Sequence, residues 1–420
     1  MRMKPLWTGA LAAGLFLCVL SARAEPVMPT HDDEVIEVLP AAAGNRDEDR
    51  RLRKELAARP DDAALAVRVA LRYLERAREG GDPRFAGLAL AALRPWPDAA
   101  TAPGEVLLMR ATLQQYLHEF DDSVASLRQL LARPGSERQA QAWLTLATVL
   151  RVQGRYADSD GACRRVATAG AQLHASACLA ENAALRGDVA NARKSLESLL
   201  AAPGVPPATQ GWLLTSLAEL EERDGRAAAA DAAYRGVLKL GPDSYAEIGY
   251  ADFLIAQGRP AEALKVLKSE TRTDAVVLRL AIAGTRAKAP GAERDVAEMR
   301  DRINLANQRP EARKFHGREQ AMFALFVDAA PQRALELARG DVEQQREALD
   351  LLVFAQAAKA SGDALAIAEA KRLKAAQGLH DKRIDAVLCH RGCASPCVAA
   401  RARRARSGRA REHGGSAQIE

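Results

Sequence analysis

Apolar residues along this chain recur at helical spacing, and the blocks they form return in the same phase about every 34 residues. One block carries Trp143, Leu146, Ala147 and Leu150, then Gly154, then Tyr156 and Ser159. The next has Leu179, Ala180, Gly187 and Ala192, and the one after it Leu217, Ala218, Gly225, Ala230 and Pro242. Ala251, Gly258 and Ala263 mark a further block. An earlier one holds Ala111, Phe120, Ser123, Leu127 and Pro134, with His118 where the others have glycine. Each block predicts two helices. The first ends at the glycine, which takes a left-handed cap without a Cβ penalty. The second stops near the proline. Alanine at the recurring small positions lets two helix axes approach where a larger side chain would hold them apart. Period-2 alternation is essentially absent, so almost no sheet is expected.

These residues resemble the tetratricopeptide repeat family, most clearly over about residues 105–270. The resemblance implies an all-α fold, an α-α superhelix (solenoid) of stacked antiparallel helix pairs. The longer intervals coincide with the connectors Pro134-Gly135 and Pro203-Gly204-Val205-Pro206-Pro207, where extra residues leave the stack undisturbed. Flanking segments read as degenerate copies. Residues 60–96 show Val69, Ala70 and Tyr73, a Gly80-Gly81 turn, then Phe85, Leu88 and Leu93. Residues 275–345 hold Leu278, Ile282, Met299, Phe323 and Ala334, and a last pair runs from Ala348 to Ala376 with its turn at Gly362-Asp363. About eight pairs are expected in all.

In the family, certain positions of each first helix line a concave face. Here those positions carry Glu181, Trp212, Glu219, Glu222, Tyr245 and Asp252. Family members that clamp a C-terminal carboxylate present lysine and asparagine at such places, so that clamp is not expected. An acidic, aromatic-edged groove favours a basic or extended segment of a partner protein or peptide. The alternative is that these acids form an ordinary solvated helix face. The function implied is that of a protein-interaction scaffold or adaptor.

Composition sharpens the picture at the two ends. Arg2 and Lys4 precede an apolar run from Leu6 to Leu20, and Ala22-Arg23-Ala24 offers a small-x-small cleavage site. Residues 1–24 therefore read as a signal peptide. Export to the periplasm of a cell envelope is expected, with an uncleaved membrane anchor as the alternative. Residues 25–46 read as a flexible linker. The net charge of +6 belongs to the ends, since residues 1–24 hold three basic residues and residues 389–420 hold seven arginines against two glutamates. Residues 25–388 are left slightly acidic, and the helical array within them, residues 47–388, has no basic stripe for nucleic acid. The tail, residues 389–420, has no Leu, Lys, Phe, Tyr or Asp. A disordered basic tail is one explanation, and a change of reading frame late in the gene is another.

Motifs for catalysis are missing: there is no phosphate loop, no Gly-x-Ser-x-Gly and no His-Glu-x-x-His. No enzyme activity and no cofactor is expected. The competing reading is an envelope enzyme or processing factor with a site in the degenerate 275–345 region, where His316, Glu319 and Asp328 are the polar candidates. Cys389, Cys393 and Cys397 with His390 are too loosely spaced for a zinc knot. His174 and Cys178 share a helix face, which reads as a surface histidine beside a buried thiol. Cys163 and Cys178 read as two independent core thiols, with a disulfide as the alternative.

Overall fold

The computed structural model describes residues 46–81, 84–133, 135, 139–269, 271–308 and 317–389. The expected signal peptide and nearly all of the linker, Pro134, His316, and the tail with His390, Cys393 and Cys397 lie outside the described residues. Residues 51–420 form one compact unit and residues 1–50 another. Helix α1 (Arg46–Ala58) begins in the latter.

The larger unit is a run of antiparallel helix pairs, each pair packed on the next. In order the pairs are α2 (Ala63–Gly80) with α3 (Arg84–Ala92), α4 (Gly104–Tyr116) with α5 (Phe120–Leu131), and α6 (Gln139–Val152) with α7 (Tyr156–Thr168). Then come α8 (Gln172–Leu185) with α9 (Val189–Leu200), α10 (Pro207–Arg223) with α11 (Ala227–Leu238), and α12 (Ser244–Ala256) with α13 (Pro260–Val266). The last three are α14 (Asp274–Ala287) with α15 (Ala292–Asn307), α16 (Gly317–Phe326) with α17 (Pro331–Gln344), and α18 (Ala348–Ser361) with α19 (Ala364–Gln377). A final helix, α20 (Lys382–Leu388), follows. This is an all-α superhelix, without a strand among the described residues. Among the described residues it has one pair more than expected, because the degenerate 275–345 region holds two pairs, α14 with α15 and α16 with α17.

The small positions do what the pattern required. Ala111, Ala147, Ala218 and Ala251 are wholly buried at helix crossings, as are Ala230 and Ala263 on the second helices. Where the second helix carries serine instead, its hydroxyl bonds across the pair. Ser123 Oγ donates to the Ala111 carbonyl and Ser159 Oγ to the Ala147 carbonyl, both at 2.8 Å. A buried hydroxyl is thus satisfied without a larger side chain. Each fully buried leucine between pairs, such as Leu127 or Leu213, contributes about 2 kcal/mol.

Two turns show why glycine recurs there. Gly154 has φ 74°, and a Cβ at this position would lie 2.6 Å from the side chain of Gln377. His118, the exception in the pattern, still adopts the left-handed conformation at φ 59° and packs its ring against Phe120. The geometry of the turn dictates the conformation, and histidine tolerates it better than most residues.

Cys163 and Cys178 are joined in a disulfide, which corrects the reading as independent thiols. Helices α7 and α8 are consecutive and antiparallel, and the alanines around the two cysteines let them pack closely. The Cα atoms come within 5.8 Å, inside the range a bridge requires. Cys178 therefore does not act with His174, whose ring stacks on Trp212 instead.

The array also curls back on itself. The main-chain N–H of Arg346 donates to the Val152 carbonyl at 2.7 Å, and that of His380 to the Leu185 carbonyl at 2.6 Å. Lys382 Nζ donates to the carbonyl of Asp224 at 2.8 Å and to its carboxylate at 2.6 Å. These acceptors sit at the C-terminal ends of α6, α8 and α10, where helix carbonyls lack internal partners and the helix dipole favours cations. Leu379, Ile384 and Leu388 are buried and anchor the returning segment.

Candidate functional site

The curl encloses a cavity of about 680 Å3 on the inner face of the superhelix. All six residues singled out from the sequence, Glu181, Trp212, Glu219, Glu222, Tyr245 and Asp252, lie on its wall. They come from α8, α10 and α12, whose first-helix positions face inward together. The opposite wall is made by α16 and α18, with Met322, Phe326, Leu349 and Leu352. The expected open strip is therefore narrowed to a part-closed chamber with mostly apolar walls.

The acids on this wall are not a free acidic surface. Arg151 binds Glu181, which also accepts from Trp212 Nε1 at 2.9 Å and from Ser216 Oγ at 2.5 Å. Arg279 grips both carboxylate oxygens of Asp252, with Nη2 at 2.8 Å from Oδ2 and Nε at 3.0 Å from Oδ1. Glu222 accepts from Arg383 at 2.6 Å and from Tyr234 at 3.1 Å. Glu219 is the least compensated, with Arg223 at 3.5 Å and the Tyr245 hydroxyl at 2.9 Å. Each predicted acid is thus matched by an arginine, so the expectation of a basic partner loses its electrostatic ground. The basic segment that reaches Glu222 and Asp224 is the chain's own, Lys382 and Arg383.

Sequence reading missed these arginines. The signal was present, because the repeat body carries nearly balanced charge, and inward acids at fixed positions demand matching cations close by. Arg151 stands on the first helix of the pair before Glu181, and Arg279 on the first helix of the pair after Asp252.

Electrostatics vary along the chamber. Burial pushes the Glu219 carboxyl up, against the pull of Arg223, and Glu181 and Glu347 add to the rise. The neighbouring charge of Glu219 raises the Tyr245 phenol above its usual range, although the tyrosine itself is largely exposed. Near α18, one guanidinium serves several acids. Arg318 stands 3.0 Å from Glu347, 3.0 Å from Asp350 and 3.4 Å from Glu319. Asp350 also closes a capping box on α18, accepting from the Glu347 N–H at 2.8 Å.

The two described candidates for catalysis, Glu319 and Asp328, do not converge. Glu319 is on the chamber wall, whereas Asp328 is off it, held by Arg300 at 2.6 Å. Among the described residues no group of three or more His, Cys, Asp and Glu side chains is placed to hold a metal ion. No described helix is long and apolar enough to cross a membrane.

No family model matches the sequence. No curated protein matches it either. Among solved structures, the chain is similar to the crystal structure of yeast Tom70, at 12% sequence identity and a TM-score of 0.36, covering 84% of this chain and 88% of that one. It is also similar to the crystal structure of the P58(IPK) TPR domain, at 15% identity and a TM-score of 0.19, covering 75% of this chain and 93% of that one.

Proposed function

We propose that this chain is a non-catalytic interaction scaffold of tetratricopeptide type, which holds a segment of a partner protein in the inner chamber. One observation carries the reading: the six side chains at the inward positions of three successive pairs line a single cavity. Rigid stacking fixes their spacing, and the apolar wall opposite supplies the surface an extended segment needs. The catalytic alternative has less behind it, since its two described candidates, Glu319 and Asp328, lie apart. A photoreactive phenylalanine analogue placed at Tyr245 tests the proposal in cells. Covalent adducts with a partner are expected there and not at Leu365, which is 83% exposed and off the chamber. Equal labelling at both positions, or none at Tyr245, removes it.

We further propose that the chain is exported to an oxidising envelope compartment. The apolar run Leu6–Leu20 with Ala22-Arg23-Ala24 supports this, and so does the buried Cys163–Cys178 bridge, which such a compartment sustains. Sequencing the N-terminus of the mature protein from fractionated cells checks it. A chain beginning near Glu25 in the soluble envelope fraction is expected. An intact start recovered with cytoplasmic proteins overturns it.

A further inference from the structure

The returning C-terminal segment crosses the middle of the array in a regular way. Helices α6, α8 and α10 are followed by the turn glycines Gly154, Gly187 and Gly225, and each turn faces one residue of the segment. Gln377 lies against Gly154, His380 against Gly187 and Lys382 against Gly225, in chain order on both sides. The bonds of His380 to Leu185 and of Lys382 to Asp224 fall at the second and third of these places.

What holds this seam differs from what holds the pairs. Consecutive helices meet through buried alanines and leucines. Across the seam the bonds are polar: main-chain N–H groups on helix-end carbonyls, Lys382 on Asp224 and Arg383 on Glu222. Ile384 and Leu388 are buried, but they belong to α20, which packs on α18, its own end of the array. The Lys382 side chain is 54% exposed, so salt reaches its ion pair and weakens it. Gln377 Nε2 is buried without a hydrogen-bond partner, and parting the seam would return it to water.

The chamber supplies a reason for the seam to part. Its volume of about 680 Å3 is that of a small-molecule site, too little for a stretch of partner chain laid along three pairs. Arg383 and the α18 residues Leu349 and Leu352 are part of its wall, so moving the segment with α18 moves that wall. A stack in which each pair leans on its neighbours can bend without breaking any pair.

We propose that residues 377–383 form a latch, which parts from the ends of α6, α8 and α10 so that the chamber opens for its partner segment. The proposal rests on the scaffold reading for what enters the chamber, whereas the movement itself is independent of it.

The test uses the full chain with Cys18, Cys389, Cys393 and Cys397 changed to serine. Spin labels are placed at Lys194→Cys on α9 and Leu365→Cys on α19, both exposed positions. Pulsed spin resonance is expected to show one distance in dilute salt. A second, longer distance gains weight in about 1 M salt, and Lys382→Met raises its weight about fivefold. A distribution that neither change alters overturns the latch. In the second arm, Gly187→Cys/His380→Cys locks the seam, since the two Cβ atoms would stand 3.5 Å apart, within bridging range. Gly187→Cys alone carries the same backbone strain and is the control. Cross-linking from the photoreactive residue at Tyr245 is expected in the control and lost in the locked chain. Equal cross-linking in both overturns the proposal. If the control captures nothing, the partner-segment reading fails, and the distances, which need no change at Gly187, still decide the latch.

Discussion

Arg383 donates to the carboxylate of Glu222 at 2.6 Å, across 161 residues of sequence. The same guanidinium holds Asp381, which is wholly buried, at 2.6 Å. Two carboxylates from distant parts of the chain therefore depend on one cation, and that cation fastens the C-terminal segment to α10.

Removing it leaves both acids unpaired in poorly hydrated surroundings. Arg383→Met is expected to destabilise the protein by about 3 kcal/mol, because breaking a buried pair exposes the desolvation cost of the remaining partner. Urea denaturation of the variant measures this. A loss below about 0.5 kcal/mol would show that the contact is an ordinary surface pair.

Ala218 and Ala147 are wholly buried where helices cross. Replacing either by leucine is expected to cost about 1–3 kcal/mol through overpacking. Thermal melts against the parent protein check the value. Unchanged stability would contradict their placement at the crossings.

The Cys163–Cys178 bridge spans a sequence separation of 15 residues. Its loss in Cys163→Ala/Cys178→Ala is expected to lower stability by up to about 3 kcal/mol, as the unfolded chain regains loop freedom. Mass spectrometry of the alkylated parent protein, with and without reductant, establishes the bridge. Denaturant titration then measures its contribution.

Burial holds the Asp341 carboxyl at about 7, with Arg318 opposing the rise and Glu319 adding to it. In the unfolded chain an aspartate titrates near 3.9. Between these values the native state binds more protons than the unfolded state, so stability falls as pH rises from about 4 to about 7 and is level above that. Asp341→Asn is expected to remove about 2 kcal/mol of the difference in stability between pH 5 and pH 8. Denaturation at both values, for parent and variant, gives the comparison. An unchanged difference would mean that Asp341 titrates normally.

Local pattern made the helices, their turns and the inward positions legible in the sequence. The alanines at the crossings and the turn at Gly362 are short-range matters, and even the histidine that broke the glycine pattern kept the backbone conformation the turn imposes. What closes the chamber was not legible. The bonds from Arg346, His380 and Lys382 to α6, α8 and α10 join segments far apart in sequence, and nothing periodic announces them. The disulfide was a matter of registry between two neighbouring helices, which spacing alone leaves open. Charge misled for a related reason. The inward acids were read one helix at a time, and all but Glu219 find their arginine on another helix.

The returning segment also changes how the molecule comes apart. A simple stack of repeats frays from its ends, since each unit leans only on its neighbours. Here the last pair is tied to the middle of the array at the ends of three successive first helices. Loosening the C-terminal turns means breaking contacts with α6, α8 and α10 at once. Amide protons in α18 and α19 should therefore exchange with solvent as slowly as those in the central repeats, and the two regions should melt as one cooperative unit.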